Sequence, residues 1–176
     1  ATSVILVDSA PIFAGLLSKL ILREAPSREE WLGIFSGVVG AIVVAGGPSQ
    51  AEGSILGVFL ALIGSITLSI YLISGRYLRK NTFPYATSVY GIASLTLIVL
   101  ALALDKPFTG YRTEDFLIFL ALAIGPSCFG HTSYNYALKH LKAHGVSIAI
   151  LGEPVGATLL AWITLKEPPN IQVVLG

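Results

Sequence analysis

An acidic residue followed directly by a proline interrupts an apolar stretch near the end of the chain. Glu153 and Pro154 lie within residues 143–165, which are otherwise mostly apolar. Proline has no N–H, so the carbonyl of residue 150 loses its helical donor. An ionisable group in a membrane helix usually faces a bundle interior or a water-filled cavity. The pair therefore predicts a polar point that exchanges a proton or attracts a cation, with simple contact to interfacial water as the alternative for Glu153.

Asp8 and Pro11 form a second acid–proline combination within residues 1–22. Pro11 removes the donor for the carbonyl of residue 7, and in lipid such a carbonyl must find another partner or line a cavity. A plain kink is the favoured interpretation of Pro11, because proline is common in membrane helices. Asp8 could touch water near the end of its segment.

Three polar side chains cluster in the segment GHTSYNYALKH: His131, Tyr134 and Asn135. His131 and Asn135 share one helix face at four-residue spacing. Histidine changes its charge near neutral pH, so His131 is a candidate proton relay. Hydrogen bonding between helices is the alternative.

Ser127 stands four residues before His131, which raises the alternative of an intramembrane serine protease. That chemistry needs a serine hydrogen-bonded to a base and an oxyanion hole, and no orienting acid follows. Cys128 is the single cysteine, which excludes an internal disulfide and a cysteine metal cluster. We therefore expect no enzymatic activity, no cofactor and no metal site.

The composition indicates a chain whose main solvent is lipid. Of its 176 residues, 54% are hydrophobic and 12% are charged, whereas soluble domains carry about a quarter of their residues as charged ones. The net charge of +1 comes without any basic run. Nucleic acid is therefore not expected as a partner.

Six stretches approach the length of about 20 mostly apolar residues that a membrane-crossing helix needs. The sequence therefore predicts an all-α, polytopic transmembrane helix bundle. A helical core in a soluble protein is the alternative, but core helices rarely run so far without charge. The predicted spans are residues 1–22, 31–51, 53–75, 81–104, 116–138 and 143–165, and a stub at residues 168–176 begins a seventh.

Basic residues distinguish the two sides of the predicted bundle, because short loops alternate sides. Lys and Arg in short loops remain preferentially in the cytoplasm, so the richer side is placed there. That side holds Lys19, Arg23, Arg28, Arg76, Arg79, Lys80, Lys139 and Lys142, and the other holds Lys106, Arg112 and Lys166.

The two ends of the chain repeat one pattern. A shift of 143 residues lays residues 1–33 over residues 144–176 and matches Pro11 with Pro154 and Glu24 with Glu167. The first and sixth spans would enter the membrane in opposite directions. Inverted repeats are a recurrent architecture of secondary transporters, with the substrate site near the midplane.

The two acids do not match in this repeat, since Asp8 falls opposite Leu151 and Glu153 opposite Ala10. Two residues along a helix correspond to a rotation of about 200°. We therefore expect that Asp8 and Glu153 need not face a common cavity.

The segments DSAPIFAGLLSKLILREAPSREEWLG and GHTSYNYALKHLKAHGVSIAILGEPVGATLLAWITLKEPP resemble the EamA family of the drug/metabolite transporter superfamily. The shared signature is an apolar helix that starts near Glu-Pro and ends in a Leu-x-Glu turn, after a helix that ends in Ala-Leu and basic residues. The resemblance implies ten helices in two inverted five-helix repeats. Residues 1–47 would be the last two helices of the first repeat, and residues 54–176 the second repeat, truncated in its last helix. The chain contains no methionine, and we expect it to be an internal piece of a longer protein.

The resemblance also implies a secondary-active transporter that moves a small metabolite, such as an amino acid or a related compound, by alternating access. A nucleotide-sugar or multidrug transporter, a non-transporting membrane subunit and a membrane enzyme are the alternatives. The expected partners are the lipid bilayer, a small-molecule substrate and protons as a coupling ion, with a homodimer left open. The expected location is the cytoplasmic membrane of a prokaryote.

Overall fold

The computed structural model describes residues 8–45, 55–169 and 171–175 of the chain. Every regular element in these ranges is a helix, which confirms the all-α prediction. Contacts between helices group the chain into two compact units, one of Ala1–Tyr77 with Leu141–Gly176 and one of Leu78–His140. Parts of the predicted spans 1–22, 31–51 and 53–75 and of the stub at 168–176 lie outside the described residues.

The described residues form nine α-helices, and π-helical residues continue two of them. In chain order they are α1 (Ala10–Leu17, continued by a π-helical turn at Ser18–Leu22), α2 (Arg28–Ala45), α3 (Ile55–Tyr77), a 3-10 turn at Arg79–Asn81, α4 (Thr82–Ala103), α5 (Thr113–Leu122), a π-helical segment at Ala123–His131, α6 (Thr132–His140), α7 (Ala143–Ile150), α8 (Glu153–Leu165) and α9 (Ile171–Leu175).

Four helical stretches among the described residues are long and apolar enough to cross a membrane. They are Ile55–Tyr77, Arg79–Ala103, Thr113–His140 and Ala143–Leu165, and Ala10–Leu22 is a shorter apolar helix. α2 has 18 residues and begins with three charged ones. The side chains of α4 are largely exposed, as expected of a helix surface that lipid surrounds. The count of six spans stays a prediction, as does the inversion of the repeat.

The predicted span at residues 143–165 is built from two helices. α7 ends at Ile150, and α8 begins at Glu153 with Pro154 in its first turn. A proline in the first turn needs no helical hydrogen bond from its own nitrogen. Instead of kinking a helix from within, Pro154 therefore starts a new one, in agreement with the expected helix start near Glu-Pro.

The two ends that match in sequence also match in local structure. α1 begins at Ala10 and α8 at Glu153, which correspond under the 143-residue shift, and each helix has a proline in its first turn. The helical stretches end at Arg23 and Lys166, which also correspond, and both residues adopt left-handed backbone with a φ of 57°. This agreement supports the alignment of the two copies.

Small residues form much of the core of the first unit, where α1 packs against α3 and α7. Ala10, Ser65 and Ser69 are buried, and small side chains let helix backbones approach closely. The hydroxyl of Ser69 donates to the carbonyl of Ala10 at 2.8 Å, and the hydroxyls of Ser9 and Ser65 lie 3.1 Å apart. The start of α1 is therefore hydrogen-bonded to α3.

Ion pairs join neighbouring chain segments at one end of the first unit. The guanidinium of Arg76, near the end of α3, donates to the carboxylate of Glu24 at 2.9 Å. Lys142, just before α7, places its Nζ 3.8 Å from Oε1 of Glu30 near the start of α2. Arg76 and Lys142 both belong to the set predicted to lie on the cytoplasmic side. In the structure both lie at the same end of the first unit.

Candidate functional site

A cavity of about 480 Å³ lies within the first unit, bordered by α2, α8 and α9. Its volume falls in the range of pockets that hold small organic molecules, about 300–1,000 Å³. Most of its wall is apolar, and Asp8 is the ionisable residue among the described residues that line it. The wall consists of Asp8, Gly37, Gly40, Ala41, Leu151, Pro154, Val155, Thr158, Leu159, Trp162, Pro169, Val173 and Val174.

Asp8 is partly buried, and Glu153 lies within range of a weaker electrostatic interaction with it. Their offset in the repeat predicted that they need not face a common cavity, and of the two residues Asp8 is the one that lines this cavity. The rotation of about 200° assumed that both residues lie within regular helices. Asp8 instead lies in the turn before α1, and Glu153 is the first residue of α8. Asp8 lines the cavity, and the exposed Glu153 lies directly beside the lining residue Pro154.

Pro11 is buried in the first turn of α1. The carbonyl of residue 7, from which it removes a donor, lies outside the described residues. Among the described residues, Pro11 does not line the cavity. Its place in the structure is the junction of α1 with α3, where Ser69 binds the neighbouring carbonyl of Ala10.

His131, Tyr134 and Asn135 belong to the second unit. His131 ends the π-helical segment and is exposed, and its ring meets that of Tyr134 edge to face, with centroids 6.0 Å apart. Asn135 and Leu138 are buried on α6, which packs against α4 and the π-helical segment. The predicted shared face therefore combines an exposed histidine with a buried asparagine.

Ser127 makes hydrogen bonds within its own helical segment and to a neighbouring helix. Its hydroxyl donates to the carbonyl of Leu122 at 3.4 Å, and its own carbonyl accepts a hydrogen bond from the hydroxyl of Tyr90 at 3.1 Å. The serine therefore contacts the backbone of its own helical stretch through its hydroxyl and a neighbouring helix through its carbonyl. In the described part of the chain, no group of three or more His, Cys, Asp or Glu is arranged to hold a metal ion.

A buried histidine at the start of α7 was missed by the sequence reasoning. His144 is fully buried, and its Nε2 lies 3.1 Å from Oε1 of Glu30. The N–H of Ser27 donates to Oε2 of Glu30 at 2.6 Å, and the N–H of Glu30 donates to Oγ of Ser27 at 3.1 Å. This reciprocal pair is a capping box, and its S-x-x-E pattern was visible in the sequence. The burial of His144 was not, because it depends on which helices pack around α7.

Comparison with known proteins places the chain in a family. The model of the EamA-like transporter family matches residues 55–176, which is more than half of the chain. This result confirms the resemblance that the sequence motifs indicated.

Three curated relatives are also named as transporters or exporters. The uncharacterized transporter YdfC of Bacillus subtilis is 24% identical over 98% of this chain and 57% of its own length. An uncharacterized transporter of Archaeoglobus fulgidus is 27% identical over 98% of this chain and 62% of its own. A probable terminal-alkyne amino-acid exporter of Streptantibioticus cattleyicolor is 25% identical over 99% of this chain and 60% of its own. The chain thus spans about 57–62% of the length of these relatives.

One solved crystal structure resembles the chain with a TM-score of 0.83 at 19% sequence identity, covering 99% of this chain and 62% of that one. At this identity the similarity concerns the fold alone. Together with the apolar helices, the family match makes this an integral, multi-pass membrane protein. The chain belongs to the EamA-like transporter family of the drug/metabolite transporter superfamily.

Proposed function

We propose that the protein is a secondary-active transporter that moves an amino acid or a related small metabolite across the cytoplasmic membrane of a prokaryote by alternating access. Residues 1–47 would complete a first repeat, and residues 54–176 would form most of a second, inverted one. The observation that carries the proposal is the position of Asp8 in the wall of an apolar cavity, with Glu153 beside it.

The cavity combines the two kinds of contact that an amino acid requires. Asp8 in the wall and Glu153 near it would offer carboxylates to a bound ammonium group. Leu159 and Trp162 in the wall would meet an apolar side chain. The name of the amino-acid exporter of Streptantibioticus cattleyicolor supports the same class of substrate.

A multidrug exporter is the second candidate, because a largely apolar wall with an indole and one carboxylate also suits lipophilic cations. A nucleotide-sugar transporter fits less well. Phosphate groups call for basic side chains, and none of the described lining residues is basic.

Protons are the proposed coupling ion. Glu153 and Asp8 would exchange a proton for the substrate in the first unit. In the second unit, His131, Tyr134 and Asn135 remain candidates for a proton path. A homodimer is compatible with this mechanism but is not required by it.

Transport in proteoliposomes tests the proposal. Uptake of labelled amino acids driven by a proton gradient would be measured for the wild-type protein, Asp8→Asn and Glu153→Gln. Glu167→Gln is the matched control, since it neutralises an exposed acid just after the other end of α8. We expect Asp8→Asn to lower uptake roughly tenfold, a loss of about 1.4 kcal/mol, and Glu153→Gln to remove the dependence on pH.

Two results would contradict the proposal. If the wild-type protein moves lipophilic cations and no amino acid, the multidrug reading replaces it. If both variants transport like Glu167→Gln, the cavity is not the substrate site.

A further inference from the structure

We propose that His144 and Glu30 form a proton-binding site that fastens the start of α7 to the start of α2. The site is separate from the cavity and lies at the other end of α7. Its ligand is the proton itself, and its bound state is an imidazolium paired with a carboxylate.

The imidazole of His144 is poised for such a role by its surroundings. Its side chain is 0% exposed, and Nε2 approaches Oε1 of Glu30 at 3.1 Å without the alignment of a hydrogen bond. Nδ1 has no hydrogen-bond partner among the described residues. A buried polar group left without partners is unfavourable, and a proton taken up by the ring would convert the close contact with Glu30 into an ion pair.

Glu30 is held in place as the anion of this pair. The N–H of Ser27 fixes Oε2 at 2.6 Å, while Oε1 faces both His144 and Lys142. The N–H of Ser27 keeps the pKa of Glu30 below its ordinary value; partial burial opposes this effect, and His144 and Lys142 add to it. The carboxylate is 30% exposed, so a proton can reach the pair from water.

Among the described residues, Glu30 is the charged side chain that contacts His144. The elements packed against α7 are α1, α2 and α3. Arg76 on α3 is already held by Glu24. The remaining charged groups of these elements and of the turns beside them are Asp8, Lys19, Arg23, Arg28 and Glu29.

The contact between α2 and α7 links this site to the cavity. Gly33 lies opposite Ile148, and a Cβ on Gly37 would be 2.5 Å from Cδ1 of Leu151. The two helices therefore run in parallel from the Glu30–His144 pair to the cavity, where both Gly37 and Leu151 line the wall. α7 has eight residues, about 12 Å of helix. Protonation at one end would thus strengthen the contact between α2 and α7, which extends to the cavity.

Thermal unfolding of the purified protein tests proton binding without any need for transport. Histidine ordinarily gains its charge between pH 5 and 8. Because the proposed ion pair with Glu30 exists only in the folded protein, the proposal predicts that lowering the pH from about 8 to about 6 raises the stability. We expect the Tm to rise by roughly 2–4 °C, and we expect His144→Gln and Glu30→Gln to lose this rise.

His140→Gln is the matched control, because His140 is an exposed histidine on α6, and it should keep the rise. Glu30→Gln retains an oxygen for the N–H of Ser27 and leaves His144 in place, so it remains informative if His144→Gln does not fold. A wild-type Tm that is constant or falls on acidification would overturn the proposal. So would a rise that survives in Glu30→Gln. Neither result depends on which substrate is transported, so failure here is distinct from failure of the proposed function.

Discussion

Two carboxylates of the first unit have opposite surroundings. Glu30 accepts a hydrogen bond from the N–H of Ser27 and lies close to the ring of His144 and the ammonium of Lys142. Asp8 stands in an apolar wall with Glu153 as a like-charged neighbour. A carboxylate whose charge is compensated by its neighbours fixes structure, whereas one in an apolar wall is available to a cationic ligand. The same functional group therefore anchors helices at one end of α7 and is available to a ligand at the other.

The donors around Glu30 predict how stability changes in acid. Because the pKa of Glu30 is lowered in the folded protein, its contribution is fully present above the ordinary glutamate value of about 4.3 and is lost as the pH falls through the lower folded value. Denaturant unfolding between about pH 6 and pH 3 should show this loss. The loss should be smaller in Glu30→Gln and unchanged in Glu29→Gln, which neutralises the exposed neighbour. Equal losses in both variants would mean that other acids cause it.

At the scale of helices, the close contact between α2 and α7 depends on the absence of a side chain at Gly37. A methyl group on Gly37 would meet Cδ1 of Leu151 at 2.5 Å, whereas one on Gly156 of α8 would meet nothing within 4 Å. Both substitutions gain about 1 kcal/mol of helix propensity. Gly156→Ala should therefore stabilise the protein, while Gly37→Ala should gain less or lose, since Leu151 must move. Unfolding measurements on both variants would decide this. Equal gains in stability would show that Leu151 does not pack closely against Gly37.

The sequence predicted helices and their turn chemistry better than it predicted burial. The Glu-Pro pattern correctly placed a helix start at Pro154. Pro11 was interpreted as a kink, but it also lies in a first turn, a position that suits proline. The repeat also located Arg23 and Lys166, whose left-handed backbone ends the two helical stretches. His144 escaped notice, since nothing in its neighbouring residues reveals that three other helices cover it.

The positions of Asp8 and Glu153 relative to the cavity could not be derived from the repeat. The rotation of about 200° between them assumed one continuous helix at each position. Asp8 instead lies in a turn, and the helix interruption at Leu151 and Gly152 precedes Glu153. Pairwise positions of this kind depend on where helices stop, which periodicity locates poorly.

For the whole molecule, the distribution of basic residues predicts its orientation in the membrane. Lys80 and Lys106 lie near opposite ends of the candidate span Arg79–Ala103, and both are exposed. With the exposed Cys128 replaced by serine, a membrane-impermeant maleimide should label Lys106→Cys in intact cells. Lys80→Cys should react only after the cells are permeabilised. The reverse pattern would invert the orientation, and labelling of both in intact cells would contradict a membrane crossing between them.

The candidate spans contain 23, 25, 28 and 23 residues, which correspond to about 35, 38, 42 and 35 Å of helix. The hydrocarbon core of a bilayer is about 30 Å thick. Helices that exceed this thickness lean over or push their ends into the headgroups. A thicker bilayer would let the same helices stand more upright. The chain length of the surrounding lipids thus becomes a physical variable that acts on helix inclination without occupying any binding site.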